Sequence, residues 1–132
     1  MIRVAIIGAG GVSDQHIKTY LKFKDRCQVV AMADLYPEKV AKKADSYGLD
    51  IAHYKDHQRL LEIEEIDLVS VCTPPFAHAD CTIDSLYAGA HVMLEKPMAT
   101  SLAECDEILA AAKKNDRLLS VMAQNRYKPP LM

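Results

Sequence analysis

Four short stretches of this chain carry side chains, or bare main chain, suited to chemistry. The first is Gly8-Ala9-Gly10-Gly11-Val12-Ser13, which follows the apolar run Ile2, Val4, Ala5, Ile6, Ile7. Gly8 permits a tight turn, and Gly10 offers no side chain, so a diphosphate could approach the backbone there. A helix starting just beyond would present free N–H groups and the positive end of its dipole to that anion. Ser13 takes a place that usually holds Gly or Ala; it is small enough to fit but departs from the strict pattern. The second is Asp34, at the end of another apolar run, Cys27–Ala33. It follows the loop by the roughly 20 residues at which a carboxylate binds the ribose hydroxyls of an adenosine. Asp34 could equally cap the next helix, since Pro37-Glu38 reads as a helix start. An acid here repels a 2′-phosphate, and Leu35 and Tyr36 supply no cation to hold one, so NAD is expected over NADP.

The third stretch is Thr73-Pro74-Pro75-Phe76-Ala77-His78. Its hydroxyl could bond a cofactor oxygen, with His78 near the start of the next helix. The competing reading is a rigid connection whose histidine caps a helix or faces solvent. The fourth is Glu95-Lys96-Pro97, which ends the apolar segment His91–Leu94. A lysine there could bind a ribose or substrate hydroxyl, or move a proton if buried. Alternatively, Glu95 and Lys96 form a solvated surface ion pair worth little.

The elements needed to bring these stretches together can be read from periodicity. Strands are expected at 2–7, 28–34, 51–54, 66–72, 91–94 and 118–123. Helices are expected over about 12–23, 37–47, 58–61, 77–87 and 101–114. Gly48 reads as a helix stop, Asp56 as a cap, and Ser101-Leu-Ala-Glu104 as a capping box. Alternating strands and helices with short loops imply a doubly wound parallel sheet, α/β in class. Right-handed crossovers leave few topologies, and the order 3-2-1-4-5-6 is expected. Three of these stretches, Gly8–Ser13, Thr73–His78 and Glu95–Pro97, follow strand ends, so that order gathers them on one rim.

The bulk properties exclude other classes. The 132 residues suit one domain, and the net charge of −2 argues against a general nucleic-acid or membrane-surface binder. No apolar run approaches the roughly 20 residues that span a bilayer, and the first residues enter a core strand rather than a signal peptide. Cys27, Cys72, Cys81 and Cys105 are widely spaced and read as small buried hydrophobes in a reducing cytoplasm, not as metal ligands or disulfides. His16, His53, His57 and His91 read as surface or structural positions.

Taken in order, Gly8-Ala9-Gly10-Gly11, Ala33-Asp34 with Pro37-Glu38-Lys39, Thr73-Pro74-Pro75 with His78, and Glu95-Lys96-Pro97 resemble the N-terminal domain of the glucose–fructose oxidoreductase/inositol dehydrogenase (Gfo/Idh/MocA) family. The resemblance spans essentially the whole chain, and Glu-Lys-Pro is its most specific element. It implies an NAD(P)-dependent oxidoreductase acting on sugars or polyols. Gly8, Ala9, Gly10, Gly11 and Val12 would hold the pyrophosphate, with Asp34 and Leu35 at the adenosine ribose. Thr73, Pro74, Pro75 and His78 would line the cofactor cleft. Lys96 would be the active-site lysine, positioned by Glu95 and Pro97. Gln124, Asn125 and Arg126 match a stretch that reaches the nicotinamide end. The family pattern often has Asn where this chain has Pro75.

By the same resemblance, residues 1–126 form the dinucleotide-binding domain and 127–132 begin a linker toward a substrate domain. Such a piece should bind NAD, turn over no sugar alone, and self-associate through uncovered apolar surface. A non-catalytic NAD-sensing module would keep the glycine loop without needing Lys96. A methyltransferase binding S-adenosylmethionine would share the loop and the acid, but would leave Glu-Lys-Pro unexplained.

Overall fold

The structure, a computed structural model, describes residues 1–123. Six parallel strands form one sheet: β1 (Ile2–Ile7), β2 (Cys27–Ala33), β3 (Ala52–Tyr54), β4 (Leu68–Val71), β5 (His91–Leu94) and β6 (Leu119–Val121). Their spatial order is β3-β2-β1-β4-β5-β6, the expected one. Between them run α1 (Ser13–Lys22), α2 (Pro37–Tyr47), α3 (His57–Ile63), α4 (His78–Tyr87) and α5 (Leu102–Lys114). A 3-10 turn, Pro75–Ala77, precedes α4. The strands at 4 and 6 are shorter than their apolar runs, because pairing stops before each run does.

β1 is the axis of the core. Its side chains alternate between faces, as strand geometry requires. Val4 and Ile6 pack with Ile17, Tyr20 and Val40 on the α1–α2 side. Ala5 and Ile7 pack with Leu60, Leu86 and Ile108 on the α3–α4–α5 side. A strand buried on both faces needs the near-continuous apolar run seen in the sequence.

Local signals end the helices where expected. Pro37 opens α2, and Gly48 closes it in the left-handed region at φ 63°. Asp56 accepts from Arg59 N–H at the start of α3, and Ser101 accepts from Glu104 N–H at the start of α5. Because the chain winds outward in both directions from β1, the carboxyl ends of β1 and β4 diverge into separate loops and leave a crevice between them.

Candidate cofactor cleft and active-site rim

The glycine loop is tight beneath and open above. Gly8 adopts φ +101°, and a Cβ there would lie 2.6 Å from both the carbonyl carbon and the oxygen of Cys72. Glycine is therefore required by the close approach of β1 and β4 as well as by the turn. Gly10 and Gly11 are the reverse case: a Cβ on either would meet nothing within 4 Å. No hydrogen bond among the described residues uses the N–H of Gly10, Gly11 or Val12. Ser13 is fully buried, and its hydroxyl donates to Gly10 O at 2.6 Å. The departure from the strict pattern thus supplies a brace under the loop.

Asp34 stands directly against this loop. Its Oδ2 accepts from Ala9 N–H at 2.8 Å and its Oδ1 from Tyr36 N–H at 2.9 Å. A carboxylate has about four acceptor sites, so two are left for hydroxyls. Asp34 does not cap α2, whose N-cap is Tyr36 without a side-chain bond. It faces a cleft also lined by Gly8, Gly10, Gly11, Val12, Leu35 and Lys39. The Lys39 ammonium lies 5.1 Å from the Tyr36 ring centroid. A cation therefore does stand at this end, on the third residue of α2, just beyond Leu35 and Tyr36.

Thr73 and Pro74 line the opposite wall, with Phe76, Ala77 and Asp80. Thr73 Oγ1 is buried without a hydrogen-bond partner. Leaving such a hydroxyl unpaired costs about 1–3 kcal/mol; the oxygen is enclosed in the wall of the cleft, with the Cys81 thiol close to it. Pro75 opens the 3-10 turn and is exposed, and it is not among the residues lining the cleft.

His78 neither caps a helix nor faces solvent. It is 1% exposed, with Nδ1 2.6 Å from Pro97 O and Nε2 2.9 Å from Thr73 O. Both ring nitrogens thus face main-chain carbonyl oxygens. The ring lies behind the cleft wall and ties the loop after β4 to the loop after β5.

Glu95 and Lys96 do not form a surface ion pair. Lys96 is exposed and takes part in none of the ion pairs of the described residues, and the Lys96–Pro97 peptide is cis. Glu95 turns inward, 9% exposed, and its Oε1 lies 2.7 Å from His16 Nε2. His16 Nδ1 is 2.9 Å from Ser70 Oγ, which also bonds the Tyr20 hydroxyl. Burial pushes the Tyr20 phenol up to about 12, so it stays protonated at neutral pH. Of the two readings of His16, surface or structural, the structural one holds: it is a buried member of the rim. The signal was available: Ser13, His16, Ile17 and Tyr20 fall at i, i+3, i+4 and i+7, and all four are buried.

One cluster on the cleft wall has the outline of a nucleophilic triad. His57 Nε2 lies 2.7 Å from Asp84 Oδ2, and its Nδ1 lies 3.7 Å from Cys81 Sγ. Burial, with help from Asp84 and Asp80, pushes the Cys81 thiol up to about 12. The thiolate needed for attack is absent at neutral pH, so Cys81 is lining. All four cysteines are free. Among the described residues no group of three or more His, Cys, Asp or Glu could hold a metal ion, and no helix is long and apolar enough to cross a membrane. Gln124, Asn125 and Arg126 lie outside the described residues.

The glycine cradle, the adjacent acid and the unpaired threonine fit a dinucleotide, and comparison with known proteins agrees. The chain belongs to the Gfo/Idh/MocA family: the model described as "Oxidoreductase family, NAD-binding Rossmann fold" matches residues 2–123. Among curated relatives, the D-glucoside 3-dehydrogenase of Escherichia coli is 34% identical over 126 residues, covering 96% of this chain and 36% of the relative. The inositol 2-dehydrogenase of Salmonella typhimurium is 26% identical over 127 residues, covering 96% of this chain and 38% of the relative. Among solved structures, the WlbA dehydrogenase from Bordetella pertussis, in complex with NADH and UDP-GlcNAcA, superposes with a TM-score of 0.90 at 28% identity, covering 96% of this chain and 38% of that one. The chain thus spans well under half the length of the relatives it matches.

Proposed function

We propose that this chain is the cofactor-binding part of an oxidoreductase that moves a hydride between NAD and a hydroxyl carbon of a sugar or polyol. The observation that carries the reading is the contact of Asp34 with Ala9 N–H beside open space over Gly10 and Gly11. The main-chain N–H groups of Gly10, Gly11 and Val12 hold the pyrophosphate at the start of α1. Asp34, with Leu35 beside it, holds the adenosine ribose; Thr73 Oγ1 takes a hydrogen bond from or gives one to the cofactor. NAD, when bound, supplies a two-electron acceptor for hydride. Lys96 stands exposed beyond the β5 edge, at the nicotinamide end, where its ammonium binds a ribose or substrate hydroxyl and holds the proton there.

The relatives' names, a glucoside dehydrogenase and an inositol dehydrogenase, support a polyhydroxylated substrate. The domain division at 126/127 and a cofactor role for Asn125 stay part of this proposal, on residues outside the described 1–123. Hydride transfer needs substrate and nicotinamide held together at near-attack distance, and the match covers only 36% and 38% of these two relatives. Residues 1–132 alone therefore bind NAD without oxidising inositol or glucose. Exposed Leu102, Leu118 and Phe76 favour self-association.

The test is NADH formation with inositol and glucosides, by the chain alone and by the longest protein its gene encodes, each with Lys96→Ala. The expected result is turnover only in a protein with a substrate domain, abolished by Lys96→Ala. Binding of NAD with no effect of Lys96→Ala on any activity would instead favour a sensing module. Displacement of NAD by S-adenosylmethionine at equal concentration would reject the dinucleotide reading.

A further inference from the structure

The geometry points to His16 and His78 as a pair of positioning residues that clamp the chain on both sides of Lys96. This rests on the reading of Lys96 as the residue at the nicotinamide end. Residue 95 is held through its side chain, whose carboxylate meets His16 Nε2 at 2.7 Å. Residue 97 is held through its carbonyl, which meets His78 Nδ1 at 2.6 Å. The two anchors come from different helices on opposite faces of the sheet, α1 and α4. Each histidine is itself fixed at its other nitrogen, His16 by Ser70 on β4 and His78 by Thr73 O just beyond β4. Both are buried, at 6% and 1% exposure.

Lys96, between the anchors, is the exposed one and makes no ion pair among the described residues. A long side chain carries considerable rotamer entropy. Fixing its main chain on both flanks limits where the ammonium can reach, which is how a supporting shell preorganises a site. The Glu95 amide also bonds Val71 O at 3.2 Å, continuing the ladder into the motif. An apolar side chain of similar size at either place would fill the volume but anchor nothing, and at position 16 it would also leave the buried Glu95 carboxylate and Ser70 without this partner.

The experiment compares ADP with NAD as ligands of the purified protein, by titration calorimetry. ADP uses the glycine loop and Asp34 only, whereas NAD also reaches Lys96. His16→Leu and His78→Phe should each weaken NAD about ten-fold, the scale of a lost hydrogen bond to a charged or polar anchor. Each should leave ADP within two-fold. His16→Gln, which keeps an N–H donor for Glu95, should restore most of the loss. Lys96→Ala should match the histidine variants, and combining it with His16→Leu should add nothing further.

A folded His16→Leu and His78→Phe pair with wild-type NAD affinity would overturn the clamp while leaving the cofactor reading intact. If either variant does not fold, Glu95→Gln and Ser70→Ala carry the same test on the His16 arm: unchanged NAD affinity in both would overturn it. Failure of the wild type to bind ADP or NAD would reject the cofactor reading, and a Lys96→Ala variant with unchanged NAD affinity would reject the placing of Lys96 and the clamp with it.

Discussion

On the β1–β2 side of the rim the polar groups look outward. The amides of Gly10, Gly11 and Val12 are without partners among the described residues, and Asp34 keeps free acceptor sites beside them. On the β4–β5 side they look inward. His16, Ser70, Glu95 and His78 are buried and bonded to one another or to main-chain carbonyls, while Lys96, between two of the anchored residues, reaches out. The first half is a surface made by leaving side chains out. The second is a scaffold made by tying side chains down. A cradle for a diphosphate needs only exposed N–H groups in fixed directions, but a single flexible lysine must have its main chain fixed before its ammonium has a place.

Two glycines test the first half with the largest expected effects. Gly10→Val should abolish measurable NAD binding and leave the melting temperature within a degree or two, since a Cβ there meets no protein atom. Gly8→Ala should instead cost about 3 kcal/mol of stability, from positive φ and overpacking on Cys72. Thermal melts beside NAD titrations separate the two. If Gly10→Val melted as low as Gly8→Ala, the loop would be structural throughout.

Asp34→Ala comes next. Losing a charged acceptor for the ribose hydroxyls should weaken NAD by roughly 10- to 100-fold. With Lys39 nearby, it should weaken NADP far less, narrowing the preference. An equal loss for both cofactors would show that the acid serves only to brace Ala9.

Thr73→Val sharpens the comparison because its two effects have opposite signs. Removing an unpaired buried hydroxyl should stabilise the free protein by about 1 kcal/mol, while NAD binding weakens several-fold. A variant that is less stable would mean the hydroxyl is already satisfied.

The half that looks outward was legible in the sequence; of the half that looks inward, only Lys96 with Glu95 and Pro97 at its sides was, through the family resemblance, and not the histidines that hold them. Glycines followed by an acid at the next strand end form a local signal, readable from Gly8 to Asp34 by spacing. The strand order followed from the alternation of elements. The bond from His16 to Ser70 joins residues 54 apart, and that from His16 to Glu95 residues 79 apart. No local pattern reports such pairs. Glu95 beside Lys96 suggested an ion pair because neighbours in sequence are easily taken for neighbours in space. Successive residues leaving a strand end point to opposite sides, which is how one became an anchor and the other an exposed group.

The smallest effects concern groups at the edges of the comparison. With burial raising the thiols of Cys27, Cys72 and Cys81, only half-buried Cys105 should react with a disulfide reagent at pH 8 in the native protein. Four thiols reacting at once would show the core to be loosely packed. Beside the loop, the hydrogen bond from Lys43 holds the Asp14 carboxyl below its usual 3.8. Its folded form favours the anion, so the stabilisation is present above that value and fades as pH falls through the lowered one. Asp14→Asn should cost a degree or two in melting temperature at pH 7 and nothing at strongly acidic pH, as suits a half-exposed pair.

The most direct measurement of the whole account is calorimetric titration of NAD into the wild type and into Gly10→Val, with a melt of each at the same concentration. The expected result is one saturable site in the wild type, no heat from the variant, and superimposable melts. Equal binding by both proteins, or no binding by a folded wild type, would contradict it.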